Sequence, residues 1–85
     1  MSYFVYILHC SDDTFYTGIT TNLEKRLYEH NHLSTGAKYT RSRRPVQIVY
    51  SESCQDRSNA LKREIEIKKF SRAEKYALIA GLTAL

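Results

Sequence analysis

The sequence predicts a small domain of the α/β class, more narrowly α+β: a three-stranded antiparallel sheet flanked by helices in the order β-β-α-β-α-α. Three observations carry this reading. Aromatic and β-branched runs occur at Tyr3–His9 and Phe15–Ile19 with turn formers between them. A third run of that kind, Val46–Tyr50, lies in mid-chain. Capping signals precede helical patterns at three places. At 85 residues the chain reads as one domain, 1–85, with a modest core.

Each element has its own justification. Ser11-Asp12-Asp13-Thr14 makes the first two strands a hairpin. Alternation puts Phe4, Tyr6 and Leu8 on one face and Val5 and Ile7 on the other. Thr21-Asn-Leu-Glu24 fits a capping box, starting a helix that runs to about Asn31. Residues 32–45 read as a loop punctuated by Gly36 and Pro45. Asp56 or Ser58 caps a second helix reaching about Lys69, and Ser71-Arg-Ala-Glu74 caps a third that Gly81 ends.

Composition narrows the function classes. The net charge is +4 and the pI near 9.2, compatible with a polyanionic partner. Cys10 and Cys54 form no C-x-x-C motif, and no signal peptide is visible, so the expectation is a cytoplasmic protein with reduced thiols. The longest apolar run, Phe4–Leu8, cannot span a bilayer, so no membrane association is expected.

The informative residues break the amphipathic pattern. In the first helix Leu23 and Leu27 define the buried stripe, and Arg26 and His30 fall beside or inside it, whereas Glu24, Lys25 and Glu29 occupy the outer face. In the second helix Ala60, Leu61, Ile65 and Ile67 mark the apolar arc with Glu64 near its middle, and Lys62, Arg63 and Glu66 point away. A carboxylate on a core-facing arc is costly unless it is paired or binds a metal. Glu64 therefore either binds an ion or salt-bridges Arg26. Tyr6 and Tyr16 are ordinary core tyrosines unless they meet Arg26 and Glu64. Gly18, late in its strand, marks a close approach by another group. Lys38-Tyr-Thr-Arg-Ser-Arg-Arg44 holds four cations, an aromatic and no acid. It is either a solvated loop or a nucleic-acid contact in which Lys38, Arg41, Arg43 and Arg44 neutralise phosphates and Tyr39 stacks on a base.

These positions carry a family resemblance. Phe4-Val-Tyr-Ile7 followed by Tyr16-Thr-Gly-Ile19 resembles the paired strand motifs of GIY-YIG nucleases. Leu23-x-x-Arg26-Leu-x-x-His30 is similar to that family's helix motif, and Ala60-Leu-x-x-Glu64 to its metal-binding helix. The likeness spans nearly the whole chain and is strongest to small stand-alone bacterial endonucleases of the family, which share the Gly36-Ala-Lys-Tyr-Thr-Arg41 loop and Arg44-Pro45-Val46. Val5 departs from the first motif's usual glycine. The resemblance implies a hydrolase of phosphodiester bonds, an endonuclease whose expected substrate is nucleic acid, DNA ahead of RNA, in processes such as DNA repair. It implies Tyr6, Tyr16, Arg26 and His30 as catalytic residues, Gly18 as the motif glycine at the nucleic-acid site, and Glu64 as ligand of one Mg²⁺ or Mn²⁺. Arg26 would brace the phosphate and one tyrosine would orient or deprotonate water, with Arg26, the ion or a protonated His30 supplying positive charge.

Two rival readings fit the same residues. One is a non-catalytic nucleic-acid-binding module on the same scaffold. The other is an interaction protein whose tail, Leu82-Thr-Ala-Leu85, docks on a protein partner; a partner for targeting also fits the nuclease reading.

Overall fold

The structure, a computed structural model, describes residues 2–81; the tail at 82–85 lies outside them. The elements are β1 (Tyr3–His9), β2 (Phe15–Thr20), α1 (Leu23–His32), the single turn α2 (Lys38–Arg41), β3 (Gln47–Cys54), α3 (Arg57–Lys68) and α4 (Arg72–Ile79). The expected order holds, with α2 added inside the segment read as a loop. β1 is the central strand of the order β2-β1-β3 and is antiparallel to both neighbours.

Strand alternation splits the core in two. Val5 and Ile7 pack with Ala60 and Ile67 of α3 on one face. Tyr6, Leu8, Cys10 and Val46 pack on the other, against Leu23 and Leu27 of α1. Each face of the sheet is thus covered by a helix stripe, and every residue of β1 from Val5 to Leu8 is buried. Cys10 and Cys54 are both free thiols.

Several boundaries differ from expectation for local reasons. α1 is capped by Asn22, whose side chain accepts from Lys25 N at 3.1 Å, and not by Thr21. Thr20 Oγ1 accepts from Asn22 N at 3.1 Å, which holds Asn22 in the extended conformation a cap needs. The Ser71–Glu74 capping box forms as read, and Asp56 caps α3, leaving Ser58 inside the helix. β3 runs to Cys54 because its pairing with β1 continues through Tyr6↔Ser51 to Tyr3↔Cys54. Gly81, at φ 76°, follows α4 as a left-handed terminator. Ile65, assigned to the apolar arc of α3, is instead 55% exposed. Arg63 turns inward from its expected outer position, its Nε donating to Glu52 at 2.9 Å.

The segment between α1 and β3 is tied down rather than free. Asn31 Oδ1 accepts from Val46 N at 2.8 Å and Asn31 Nδ2 donates to Val46 O at 3.0 Å, so one side chain reads both backbone groups of one residue. Gly36 packs on the backbone of α1, where a methyl group would sit 2.6 Å from Glu29 O and 2.9 Å from His30 Cα.

Candidate active site

The site is built on the α1-facing side of β1 and β2. Register pairs Tyr6 with Gly18 and Leu8 with Tyr16, so both tyrosines and the glycine share that face. A methyl group at Gly18 would lie 2.6 Å from Tyr6 Oη and 3.1 Å from Tyr16 Cε2. The group that closes on Gly18 is therefore the chain's own Tyr6, and the glycine seats that hydroxyl.

α1 delivers the next two residues from successive turns. His30 is completely buried, its Nε2 2.8 Å from Tyr6 Oη and its Nδ1 2.9 Å from Thr40 Oγ1 of α2. Its ring stands edge-on to both tyrosines, 5.9 Å from Tyr6 and 5.2 Å from Tyr16. Arg26 Nη1 donates to Glu29 Oε1 at 3.1 Å and to Thr35 O at 2.9 Å. Glu29, expected on the outer face, is thus drawn in as the carboxylate that steadies this guanidinium. Glu64 on α3 is largely buried, its side chain 16% exposed, and pairs with Lys68 Nζ at 3.2 Å. The Arg26–Glu64 bridge does not form, because each residue finds a partner one turn away on its own helix.

Electrostatics join these groups. Burial pushes the Tyr6 phenol up to about 12; Arg26 pulls against that shift, and Tyr16 and Glu64 reinforce it. Tyr6 therefore feels Tyr16, Arg26 and Glu64 at once. Burial, then the nearby cations of Arg26 and Arg44, push the His30 imidazole down to about 4. His30 is neutral at pH 7, which corrects the expectation that a protonated His30 lends positive charge. Among the described residues no group of three His, Cys, Asp or Glu gathers, and Glu64 is a single carboxylate on α3 whose charge reaches Tyr6.

The basic segment divides. Lys38, Tyr39 and Arg41 are exposed. Arg44 is not free for phosphate: its Nε and Nη2 donate to His30 O and Leu33 O, each at 2.6 Å, closing the C-terminal turn of α1. Arg43 is likewise engaged, donating through Nη1 to Tyr39 O at 2.8 Å, with Nε 2.9 Å from Asp12 Oδ2 but off the N–H line. Its guanidinium also covers the Tyr39 ring at 3.8 Å. Tyr39 in turn stacks on Tyr16, centroids 6.0 Å apart, so the segment docks on the tyrosine site instead of projecting from it. Thr40, buried between Tyr39 and Arg41, escaped the sequence reading; no periodicity over one helical turn marks it.

A profile described as the GIY-YIG catalytic domain matches residues 2–77. The chain belongs to the GIY-YIG family. That makes it a member of a nuclease family, as the strand and helix motifs implied. The UPF0213 protein of Syntrophus aciditrophicus is 62% identical over 76 residues, covering 89% of this chain and 87% of that protein. The UPF0213 protein of Desulfotalea psychrophila is 56% identical over 78 residues, 92% of this chain and 71% of its own length. The solution NMR structure of a UPF0213 protein from Bacillus halodurans is similar at a TM-score of 0.60 and 39% identity, over 94% of this chain and 84% of that one. A solution structure of an E. faecalis protein is similar at a TM-score of 0.63 and 44% identity, over 100% and 92%. The two solution structures share the β-β-α-β-α-α fold. No helix of the described residues is long and apolar enough to cross a membrane.

Proposed function

We propose that this GIY-YIG domain is a metal-dependent endonuclease that hydrolyses phosphodiester bonds in DNA, choosing strand structure over base sequence. The observation that carries the reading is the convergence on Tyr6: its hydroxyl is held by His30 and feels Arg26, Tyr16 and Glu64 together. A solvated surface would not assemble a guanidinium, two phenols and a largely buried carboxylate about one strand position.

Each residue has a part in phosphodiester hydrolysis. Arg26, braced by Glu29 and Thr35, holds the phosphoryl oxygens and offsets charge that develops on them. Tyr6 and Tyr16 orient the attacking water from one strand face. Glu64 anchors an ion of the Mg²⁺ or Mn²⁺ type. The donor set fits such an ion, since a single hard carboxylate leaves room for the several waters Mg²⁺ keeps, and its Lys68 partner is half-exposed and easily displaced. When bound, the ion supplies Lewis-acid polarisation and help for the leaving 3′-oxygen. Lys38 and Arg41 are exposed cations that steer the strand toward the site, fewer than the four the sequence offered. So short a reach favours recognition of strand structure, with any further targeting supplied by a protein partner. Cytoplasmic DNA processing or repair suits this chemistry.

The test is incubation of the pure protein with labelled single-stranded, duplex and branched DNA, and with RNA, under Mg²⁺, Mn²⁺ or EDTA. Cleavage of a DNA form that stops in EDTA is expected. Binding without cleavage under every metal condition would leave recognition alone as the function.

A further inference from the structure

Thr40 and the Ala37 peptide hold His30 from behind, on the side away from Tyr6. His30 and Thr40 are both wholly buried, so each of their polar atoms needs a partner within the chain. The neutral imidazole carries one proton, on Nδ1 or on Nε2. Nε2 faces the Tyr6 hydroxyl at 2.8 Å and Nδ1 faces the Thr40 hydroxyl at 2.9 Å, and a hydroxyl can turn to donate or to accept. The third neighbour cannot turn. Ala37 N–H points at Nδ1 with N···N of 3.4 Å, and a peptide N–H only donates. A proton on Nδ1 would set two N–H groups against each other, so Nδ1 keeps its lone pair and the proton sits on Nε2.

The Thr40 hydroxyl then has a choice of acceptor. Ala37 O lies 2.9 Å from it but already accepts from Thr40 N at 3.1 Å and Arg41 N at 3.3 Å. Nδ1 has only the long Ala37 contact, so it gains more from the hydroxyl proton.

We infer that Thr40, together with the Ala37 peptide, is a positioning device that locks His30 in the Nε2–H tautomer, so that His30 donates a hydrogen bond to the Tyr6 oxygen. His30 on this geometry keeps its Nε2 proton and neither takes the Tyr6 proton nor binds phosphate. It directs the Tyr6 proton away from itself and gives the phenolic oxygen a fixed donor, which, with the nearby Arg26 charge, supports negative charge there when that proton leaves. A neutral imidazole is the right donor for this work, because it adds polarity without a second buried charge beside Arg26.

The inference rests on the nuclease reading only for its catalytic consequence, since the tautomer is read without substrate. ¹⁵N NMR of the full-length protein at pH 7 reports which ring nitrogen of His30 bears hydrogen. The expected spectrum has Nε2 protonated and Nδ1 as an acceptor. Thr40→Val keeps the shape and removes the donor; it should move the Nδ1 resonance toward that of an unbonded nitrogen and lower kcat by roughly ten- to a hundred-fold with KM unchanged. Thr40→Ser should restore both. A proton on Nδ1 in the native protein overturns the assignment, even if Thr40→Val fails to fold. A Thr40→Val kcat equal to the native one overturns the positioning role. A native protein that shows the Nε2–H tautomer yet cleaves nothing counts against the nuclease reading alone.

Discussion

Acid should destabilise this protein through His30 before it does so through the carboxylates. The imidazole is wholly buried, and it drops from its ordinary 6.5 to about 4 in the folded chain. Between those values the unfolded chain binds a proton that the folded one refuses, so lowering the pH favours unfolding. The His30 contribution is present above pH 6.5 and is lost as pH falls through about 4. At about 1.4 kcal/mol per pH unit for one proton, the loss is on the order of 3 kcal/mol. That is a large share of the roughly 4–13 kcal/mol expected of a domain this size. Asp12 and Asp13, held below the ordinary carboxylate range by hydrogen bonds and neighbouring cations, keep their charge through most of this window. The assay is urea unfolding followed by circular dichroism at pH steps from 7.5 to 4, for the native protein and for His30→Gln. The native protein should lose stability with a slope approaching one proton, and His30→Gln, less stable at pH 7, should be nearly flat over the same interval. Equal slopes would refute the view that His30 is buried and neutral.

Three further outcomes follow from the same geometry. Tyr6→Phe should remove the phenol that ionises near 12 in a spectrophotometric titration; native stability should fall as pH rises from 10 toward 12, less so in the variant. Gly18→Ala puts a methyl 2.6 Å from Tyr6 Oη, so Tyr6 must move; about 1–3 kcal/mol lost in urea melts and a broken Tyr6–His30 hydrogen bond by NMR are expected. Asn31→Leu leaves both Val46 backbone groups without their partner and should cost about 1–3 kcal/mol in the same melts, with hydrogen exchange at Val46 faster.

What was legible beforehand depended on the range of the interaction. Strand alternation at Phe4–Leu8 separates the two core faces as read, and the Ser71–Glu74 box closes as read, because both are set within a few residues. The polar residues on apolar arcs, Arg26, His30 and Glu64, were visible for the same reason. Their partners were not. Arg26 chooses Glu29 and Glu64 chooses Lys68, a local competition that periodicity does not rank. Arg44 looks like a phosphate ligand in a basic run, yet the His30 and Leu33 carbonyls at the end of α1 take its donors once the loop folds back. Thr40 and Gly36 were unreadable, since their roles exist only where residues 35–40 dock on α1. Gly18 sits between these cases, flagged for a close approach that proved to be Tyr6 itself.

Glu64 is the proposed anchor for metal-dependent cleavage, and its removal is the most direct test of the site. Native protein and Glu64→Ala, purified identically and matched for fold by circular dichroism, would be titrated with Mg²⁺ on the DNA form that the native protein cuts. The native protein should cleave with a saturable metal dependence, and the variant should lose roughly a hundredfold or more while still binding the DNA. Cleavage by Glu64→Ala at the native rate would contradict the assignment of this site.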